Sequence, residues 1–184
     1  MIPKERIILG IDPGTNIMGY GVIEARGKNP VLVTLGITDM RKEKDPYKSL
    51  QIIFREVIQL IERYHPDELA IEAPFFGKNV QSMLKLGRAQ GVAIAAALSR
   101  DIPIFEYAPR KIKMAITGQG SASKEQVANI LERILNFKDI SKNLDATDGL
   151  AAAVCHFFQA KPSENGKSFS NWNDFLKKNP DRLK

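Results

Sequence analysis

The start of the sequence alternates apolar runs with tight-turn residues. The runs span 6–12, 18–25 and 31–38; Asp-Pro-Gly follows the first run and Gly-Lys-Asn-Pro precedes the third. Short β-rich runs separated by turn chemistry are typical of adjacent antiparallel strands. The sequence therefore predicts an antiparallel three-stranded meander at the start of the chain.

Helical spacing replaces the strand pattern after the charged loop at 39–45. Apolar residues recur at three- and four-residue intervals from Pro46 to Tyr64, which predicts an amphipathic helix. The remaining pattern predicts, in order, a short buried strand ending at Glu72, a small-residue helix over 79–99 and a strand at 102–107. Three more helices are then predicted: one at 109–116, one that begins after a Ser123 cap, and one over 145–159. Strands that alternate with helices place the chain in the α/β class, with five strands flanked by helices.

The length of 184 residues suits one domain, which we place at 1–159. The segment 160–184 is richer in Lys, Asn and Ser, and we expect a flexible C-terminal tail there. In the alternative interpretation, Phe169, Trp172 and Phe175 dock this tail on the body of the protein.

Charge and cysteine content narrow the possible functions. The net charge of +6 suits a polyanionic partner, although many small proteins are basic for no such reason. Cys155 is the single cysteine, so it forms no intramolecular disulfide, and with two histidines in the chain a Cys/His zinc site is nearly excluded. We expect Cys155 to be an inert core thiol. The apolar runs are too short to cross a bilayer, and we expect a cytoplasmic protein.

Four acids stand at the ends of apolar elements. Asp12 ends the first strand and Glu72 the fourth, while Asp145 and Asp148 lie one helical turn apart at the start of the last helix. A charge at the end of a buried strand is costly unless it is paired or binds a cation, so we expect the four to form one cluster. Each also has a structural interpretation: Asp12 as a turn residue, Glu72 as a hydrogen-bonded strand end, and Asp145 with Asp148 as helix caps.

A cluster of four carboxylates predicts a divalent cation site. Cations relieve the repulsion between the acids, and hard oxygen ligands select Mg²⁺ or Mn²⁺ rather than zinc. Two such ions about 4 Å apart are a known apparatus for in-line attack on a phosphodiester.

Five ordered motifs resemble the RuvC family of Holliday junction resolvases over roughly residues 6–158: GIDPGTNIMGYGVIE, AIEAPFFGKN, LKLGRAQGVAIAAA, FEYAPRKIKMAITGQGSASKEQV and DATDGLAAAVCH. The resemblance implies an RNase H-like fold with a mixed five-stranded sheet and a homodimer. It also implies Mg²⁺-dependent paired nicking of four-way DNA junctions, with two ions per subunit and Mn²⁺ as a substitute, and a partnership with the RuvAB branch-migration complex. The family's catalytic and metal-binding acids fall on Asp12, Glu72, Asp145 and Asp148; some members carry His where this chain has Asp145.

Positive charge is concentrated in the middle of the chain. Between Lys78 and Lys124 there are eight Lys or Arg and two acids, enough to provide salt-sensitive affinity for phosphates. The resemblance assigns DNA contacts to Lys113 and Lys124 and a base-stacking ring to Phe75. We expect Lys78 and Asn79 to touch the DNA backbone.

The glycines Gly87 and Gly91 let another backbone approach the small-residue helix. Packing on its own sheet explains them equally well from the sequence alone, and the resemblance favours a two-fold dimer contact. Three other functions compete with the junction resolvase. They are an actin-like nucleotide-binding protein with a DxGT phosphate loop, a junction-binding scaffold without catalysis, and a related nuclease acting on RNA.

Overall fold

A computed structural model of the chain describes residues 5–74, 79–138 and 144–159. Its elements, in chain order, are β1 (Arg6–Asp12), β2 (Ile17–Arg26), β3 (Asn29–Asp39), α1 (Pro46–Tyr64), β4 (Glu68–Glu72), α2 (Val80–Leu98), β5 (Ile104–Tyr107), α3 (Pro109–Thr117), α4 (Lys124–Ile134) and α5 (Leu144–Gln159). The predicted order of strands and helices is confirmed. The predicted tail at 160–184 lies outside the described residues, and the domain boundary stays a prediction.

The five strands form one mixed sheet in the order β3-β2-β1-β4-β5. The predicted meander is confirmed, because β1 pairs antiparallel with β2 and β2 with β3. Strands β4 and β5 continue the sheet parallel to β1. As a result, the last residues of β1, β3, β4 and β5 and the first residue of β2 lie along one end of the sheet, across the strands. We call this end of the sheet the Asp12 edge.

Helices cover both faces of the sheet around two apolar cores. Ile53 and Val57 of α1 and the buried alanines of α2 pack on one face. Leu150 and Val154 of α5 pack on the other, together with residues of α3 and α4. No helix in the three described ranges is both long and apolar enough to cross a membrane.

Helix α5 lies directly on β1 and β2 because glycines remove the side chains between them. A Cβ at Gly10 would collide with the backbone oxygen of Gly149, and one at Gly19 with that of Asp145. Gly19 pairs with Asp12 in the β1–β2 register. This close approach brings the first turn of α5 to the Asp12 edge.

Local signals define where the helices begin. The Asp45 side chain accepts a hydrogen bond from the backbone of Tyr47, next to the proline at the first position of α1. Ser123 and Gln126 form a complete capping box at the start of α4, as the sequence predicts. Helix α4 thereby begins at Lys124, whose side chain reaches the candidate site.

Candidate active site

The fold brings the four predicted acids to the Asp12 edge. Asp12 and Glu72 end the neighbouring parallel strands β1 and β4, in which Ile11 pairs with Ile71. Asp145 and Asp148 lie in the first two turns of α5, whose start is seated on β2. The strand register and the α5 packing thus assemble acids that are up to 136 residues apart in sequence.

Burial and repulsion by neighbouring acids make the carboxyls of Asp12, Glu72 and Asp148 hard to ionise. Burial, followed by the charge of Asp148, raises the pKa of Asp12 to about 6. Burial, followed by the charges of Asp12 and Asp148, raises the pKa of Glu72 to about 8. Burial also raises the pKa of Asp148, which the hydrogen bond from Lys124 opposes. The protein surroundings therefore do not stabilise the negative charge that the cluster would carry if all its acids were ionised.

Two lysines supply the nearby positive charge. Lys124 Nζ donates to Asp148 Oδ2 at 2.5 Å and lies 3.6 Å from Asp145 Oδ1. Burial opposes the charged form of this ammonium, but the bond to Asp148 and the surrounding acids hold the pKa of Lys124 above its ordinary value. Lys113 on α3 is close enough that its charge lowers the pKa values of Glu72 and Asp148. Both lysines predicted to contact DNA thus lie beside the acids.

A small cleft opens between β1, β4 and α2. Its volume is about 90 Å³, and Asp12, Glu72 and Gln90 are among the residues that line it. Gln90 is 7% exposed, and its Nε2 donates to Glu106 Oε2 at 2.8 Å. The cleft gives a small group a route to both strand-end acids.

The chemistry of this donor set fits a hard divalent cation. All four ligand candidates are carboxylates, and burial together with neighbouring acids raises the pKa values of Asp12 and Glu72, a repulsion that a cation relieves. Within 5–74, 79–138 and 144–159, however, no three Asp, Glu, His or Cys side chains stand together as a metal-binding group. Lys124 is bonded to Asp148 instead. That the four acids share one metal site is therefore a prediction for the protein with ions bound.

The remaining predicted residues have mixed outcomes. Phe75 and Lys78 lie outside the described residues. Asn79 is exposed and caps α2, accepting a hydrogen bond from the backbone of Ser82 at 3.1 Å. Cys155 is fully buried, and burial raises the pKa of its thiol to about 11, as expected of an inert core thiol.

The sequence interpretation did not single out Gln90 or Arg41. Gln90 is a polar residue on the buried face of α2, among small apolar residues, and this contrast is a usable sequence signal. Arg41 follows Asp39 by two residues at the end of β3, and the two side chains pair at the Asp12 edge. Arg41 lies in the turn after β3, where its backbone N–H also donates to Asp39 Oδ1 at 3.0 Å, so the Asp-x-Arg spacing predicts such a local pair but not its distance from the acids.

The chain matches the family described as crossover junction endodeoxyribonuclease RuvC over residues 8–156. It is 64% identical over 183 residues to the Bacteroides fragilis protein of that name, covering 98% of this chain and 97% of the relative. The protein of the same name from Christiangramia forsetii is 60% identical over 184 residues, covering 100% and 96%. A solved structure of T. thermophilus RuvC in complex with Holliday junction substrate has a TM-score of 0.78 at 29% identity, covering 84% of this chain and 94% of that chain. The predicted RNase H-like fold is confirmed.

Proposed function

This chain belongs to the RuvC family of crossover junction endodeoxyribonucleases, and from that membership we propose that it resolves four-way DNA junctions by paired symmetric nicks. The observation that carries this proposal is the convergence of Asp12, Glu72, Asp145 and Asp148 at one sheet edge, with two of their pKa values raised to about 6 and about 8. Junction resolution serves homologous recombination and DNA repair.

We propose Asp12, Glu72, Asp145 and Asp148 as the catalytic and metal-binding residues. Oxygen ligands in a partly buried acidic site favour Mg²⁺, with Mn²⁺ as a substitute, and we expect two ions per subunit. Bound there, such ions supply water activation and neutralisation of phosphate charge.

The side chains of this chain prepare the site for a phosphate. The four acids stand at a fixed edge of the sheet, and the negative charge of those that are ionised repels a phosphodiester until positive charge enters the cluster. Lys124, bonded to Asp148, places an ammonium where a phosphate oxygen would approach. Lys113 adds a second positive charge from α3. We propose that these two lysines bind the DNA backbone and stabilise charge on the phosphate during cleavage.

The predicted DNA contacts at residues 75–79, which follow β4 in the sequence, remain proposals. We propose that Phe75 stacks on a base at the junction centre, and that Lys78 and Asn79 touch the backbone. Asn79 lies in the described part of the chain, exposed at the start of α2, where its amide is within reach of a ligand at that surface. The helix cap it forms would hold its position.

We propose a homodimer formed through α2. An exposed stripe on this helix contains Val80 at 63%, Leu84 at 52% and Leu98 at 59% exposure, with Gly87 and Gly91 between them. A Cβ on either glycine would meet no described atom within 4 Å, so this face is not packed on the sheet of its own chain. A second copy of α2 would cover the stripe, and a two-fold dimer matches a substrate with near two-fold symmetry.

Two further sequence expectations stay predictions. One is the partnership with the RuvAB branch-migration complex, and the other is the cytoplasmic location. Both agree with a protein that acts on recombining DNA, and each needs a direct measurement, such as co-purification with the motor proteins.

Cleavage of a synthetic four-way DNA junction tests the proposal. The protein should cut opposite strands symmetrically with Mg²⁺, and leave both a linear duplex of the same sequence and the junction in EDTA intact. Asp148→Asn should abolish cutting and spare binding, because it is nearly isosteric and removes one acid from the cluster. Sedimentation should show a dimer rather than the 20.5 kDa monomer.

Each competing function has its own result in the same assays. A wild-type protein that binds the junction without cutting it would favour the scaffold. Preferential cutting of an RNA junction would favour the RNA nuclease. Binding of ATP that is lost in Asp12→Asn would favour the actin-like protein.

A further inference from the structure

The end of β3 carries an arginine that the proposed site does not use. Arg41 Nη2 donates to Asp39 Oδ2 at 2.6 Å, and its Nε donates to Asp39 Oδ1 at 3.0 Å. Its side chain is nevertheless 64% exposed. Within the described part of the chain, Nη1 has no protein acceptor, so this side of the guanidinium fork is available to a ligand.

The turn that holds Arg41 is tied to the loop that follows Asp12. The backbone N–H of Met40 donates to the carbonyl oxygen of Asn16 at 2.8 Å, and Met40 itself is 2% exposed. Asp39 pairs with Ile17 in the β2–β3 register. Two backbone connections and one buried side chain therefore fix the position of Arg41 relative to the Asp12 edge.

Arg41 reaches the acids from a different part of the fold than the two lysines do. Lys113 and Lys124 belong to α3 and α4, which pack against α5, whereas Arg41 follows β3, the strand at one margin of the sheet. The start of α5 lies between them, over Gly19 of β2. The pKa of Arg41 is raised first by its hydrogen bond to Asp39, and the charge of Asp145 contributes as well. Positive groups from the β3 turn, α3 and α4 thus all act on the carboxylate cluster.

We propose that Arg41 binds a backbone phosphate of the cleaved DNA strand, on the β3 side of the active site. This inference rests on the proposed nuclease function and adds to it a phosphate-binding site at the end of β3. The guanidinium fork matches two oxygens of one phosphate, and Asp39 fixes its orientation. Lys124 and Arg41 would then hold the strand on either side of the bond to be cut.

The spacing of the sheet suits this arrangement. β1 and β3 are separated by two strand intervals, about 10 Å, which is far enough for Arg41 to contact a different phosphate from the one at the acids. Because Asp39 offsets the charge of Arg41 at long range, we expect a short-range contact with one phosphate and little steering of distant DNA.

The chain supplies a matched control at the opposite end of the same strands. Arg26 Nη2 donates to Glu24 Oε2 at 2.6 Å, with the same two-residue spacing, and the Arg26 side chain is 58% exposed. This pair lies beside the β2–β3 turn, far from the Asp12 edge. If Arg41 and Asp39 were merely a surface ion pair, replacing either pair would have the same small effect.

Equilibrium binding to a synthetic four-way junction in EDTA, from 50 to 200 mM salt, distinguishes the two pairs. Asp39→Asn/Arg41→Gln leaves the net charge at +6; it should weaken binding by up to about tenfold at 100 mM salt and reduce the salt slope by about one. Glu24→Gln/Arg26→Gln should match the wild type. Arg41→Lys keeps the charge and loses the fork, so its junction affinity and salt slope should lie between those of the two double variants. If Asp39→Asn/Arg41→Gln melts at a lower temperature than the wild type, Arg41→Lys decides the question.

A methylphosphonate scan of the cleaved strand locates the contact. Neutralising one phosphate within a few nucleotides of the scissile bond should weaken wild-type binding and leave the Arg41 variant unaffected. Equal affinity and slope for wild type and both Arg41 variants would overturn the proposal, as would equal losses in the two double variants. Junction cleavage by the wild type in Mg²⁺ is measured alongside. If the wild type cuts the junction but the Arg41 variants bind it as the wild type does, only this inference fails. If the wild type does not cut the junction, the proposed nuclease function itself is contradicted.

Discussion

Strand β4 carries a glutamate at each end, and the two have opposite surroundings. At its start, Glu68 accepts a hydrogen bond from Arg6 Nη1 at 3.1 Å and lies 2.9 Å from His156 Nε2. The other ring nitrogen of His156 meets the Tyr107 hydroxyl at 2.6 Å. At the far end of the strand, Glu72 faces Asp12 and Asp148, and burial with these charges raises its pKa to about 8.

The difference separates a structural acid from a candidate ligand. The protein surrounds Glu68 with a cation and a nearby imidazole, so its burial is compensated within the fold. Among charged neighbours, the like charges of Asp12 and Asp148 act most strongly on Glu72, and Lys124 and Lys113 offset them only in part. A strand-end acid that the protein leaves undercompensated is where an external cation stabilises most. Sequence position alone does not distinguish the two residues.

Removing one carboxylate at each end of β4 gives the largest contrast. Glu72→Gln should lower the rate of junction cleavage in Mg²⁺ more than about a hundredfold, since changes to groups that only support metal ligands already cost 10- to 100-fold. Glu68→Gln should retain cleavage within a few-fold of wild type at a temperature where it is folded. Single-turnover cleavage of a labelled junction measures both. Similar rates for the two variants would contradict the distinction drawn between these glutamates.

The pH dependence of stability should also differ between the two ends. Glu72 and Asp12 have folded pKa values of about 8 and about 6, raised above their ordinary values of 4.5 and 3.8. Their neutral forms favour the folded state, so this stability is complete below pH about 4 and is lost as pH rises toward about 8. Glu72→Gln should therefore be more stable than wild type in EDTA, and by an amount that grows from pH 5 to pH 8.

The stability of the wild type must be compared with that of Glu72→Gln at each pH, because the titration of His156 opposes the effect of Glu72 and Asp12. Burial lowers the pKa of His156, against the effect of Glu68, so its neutral form favours folding and its contribution grows as pH rises toward 6.5, above which it is complete. Subtracting the wild-type curve from that of Glu72→Gln cancels this term. Chemical denaturation at each pH gives the two curves. A difference that stays flat from pH 5 to pH 8 would show that Glu72 titrates normally.

Glu68→Gln should have the smaller, opposite effect on stability. It removes a charged acceptor from Arg6 and a carboxylate from beside His156, and hydrogen bonds to charged groups are worth about 1.5–3 kcal/mol. Because the Glu68 side chain is 18% exposed, we expect a loss near 1.5 kcal/mol at pH 7 rather than the upper value. Urea denaturation measures it. Unchanged stability would mean that water replaces the carboxylate without cost.

Local sequence signals predicted most of the fold, and the ends of strands were the exception. Ser123 and Gln126 identify the start of α4 because a capping box is local. β2 and β3 extend further than predicted, to the pair Arg26 and Asn29 around Gly27, whose φ is 61°. Such ends are set by pairing with the neighbouring strand and not by the apolar pattern of the strand itself.

The sequence also pointed to the four acids of the candidate site but not to their distances. The apolar strand before Asp12 and that before Glu72 are visible in one dimension, and so is the one-turn spacing of Asp145 and Asp148. The bond from Lys124 to Asp148 depends on how α4 packs against α5, and the place of Arg41 depends on the β2–β3 register. Contacts between distant elements of this kind require the three-dimensional structure.

Lys113 provides the smallest test of the contrast between the ends of the sheet. It lies on α3 beside the acids, whereas Lys28 lies in the exposed β2–β3 turn at the opposite end. If Lys113 neutralises a phosphate, Lys113→Ala should reduce the slope of log affinity against log salt by up to about one, and Lys28→Ala should leave it unchanged. Junction binding in EDTA, measured over the same salt range for both variants, tests this. Slower cleavage at an unchanged slope would instead indicate that Lys113 acts on the reacting phosphate. Identical slopes and rates in both variants would mean that Lys113 is an ordinary solvent-exposed lysine with no role in DNA binding or cleavage.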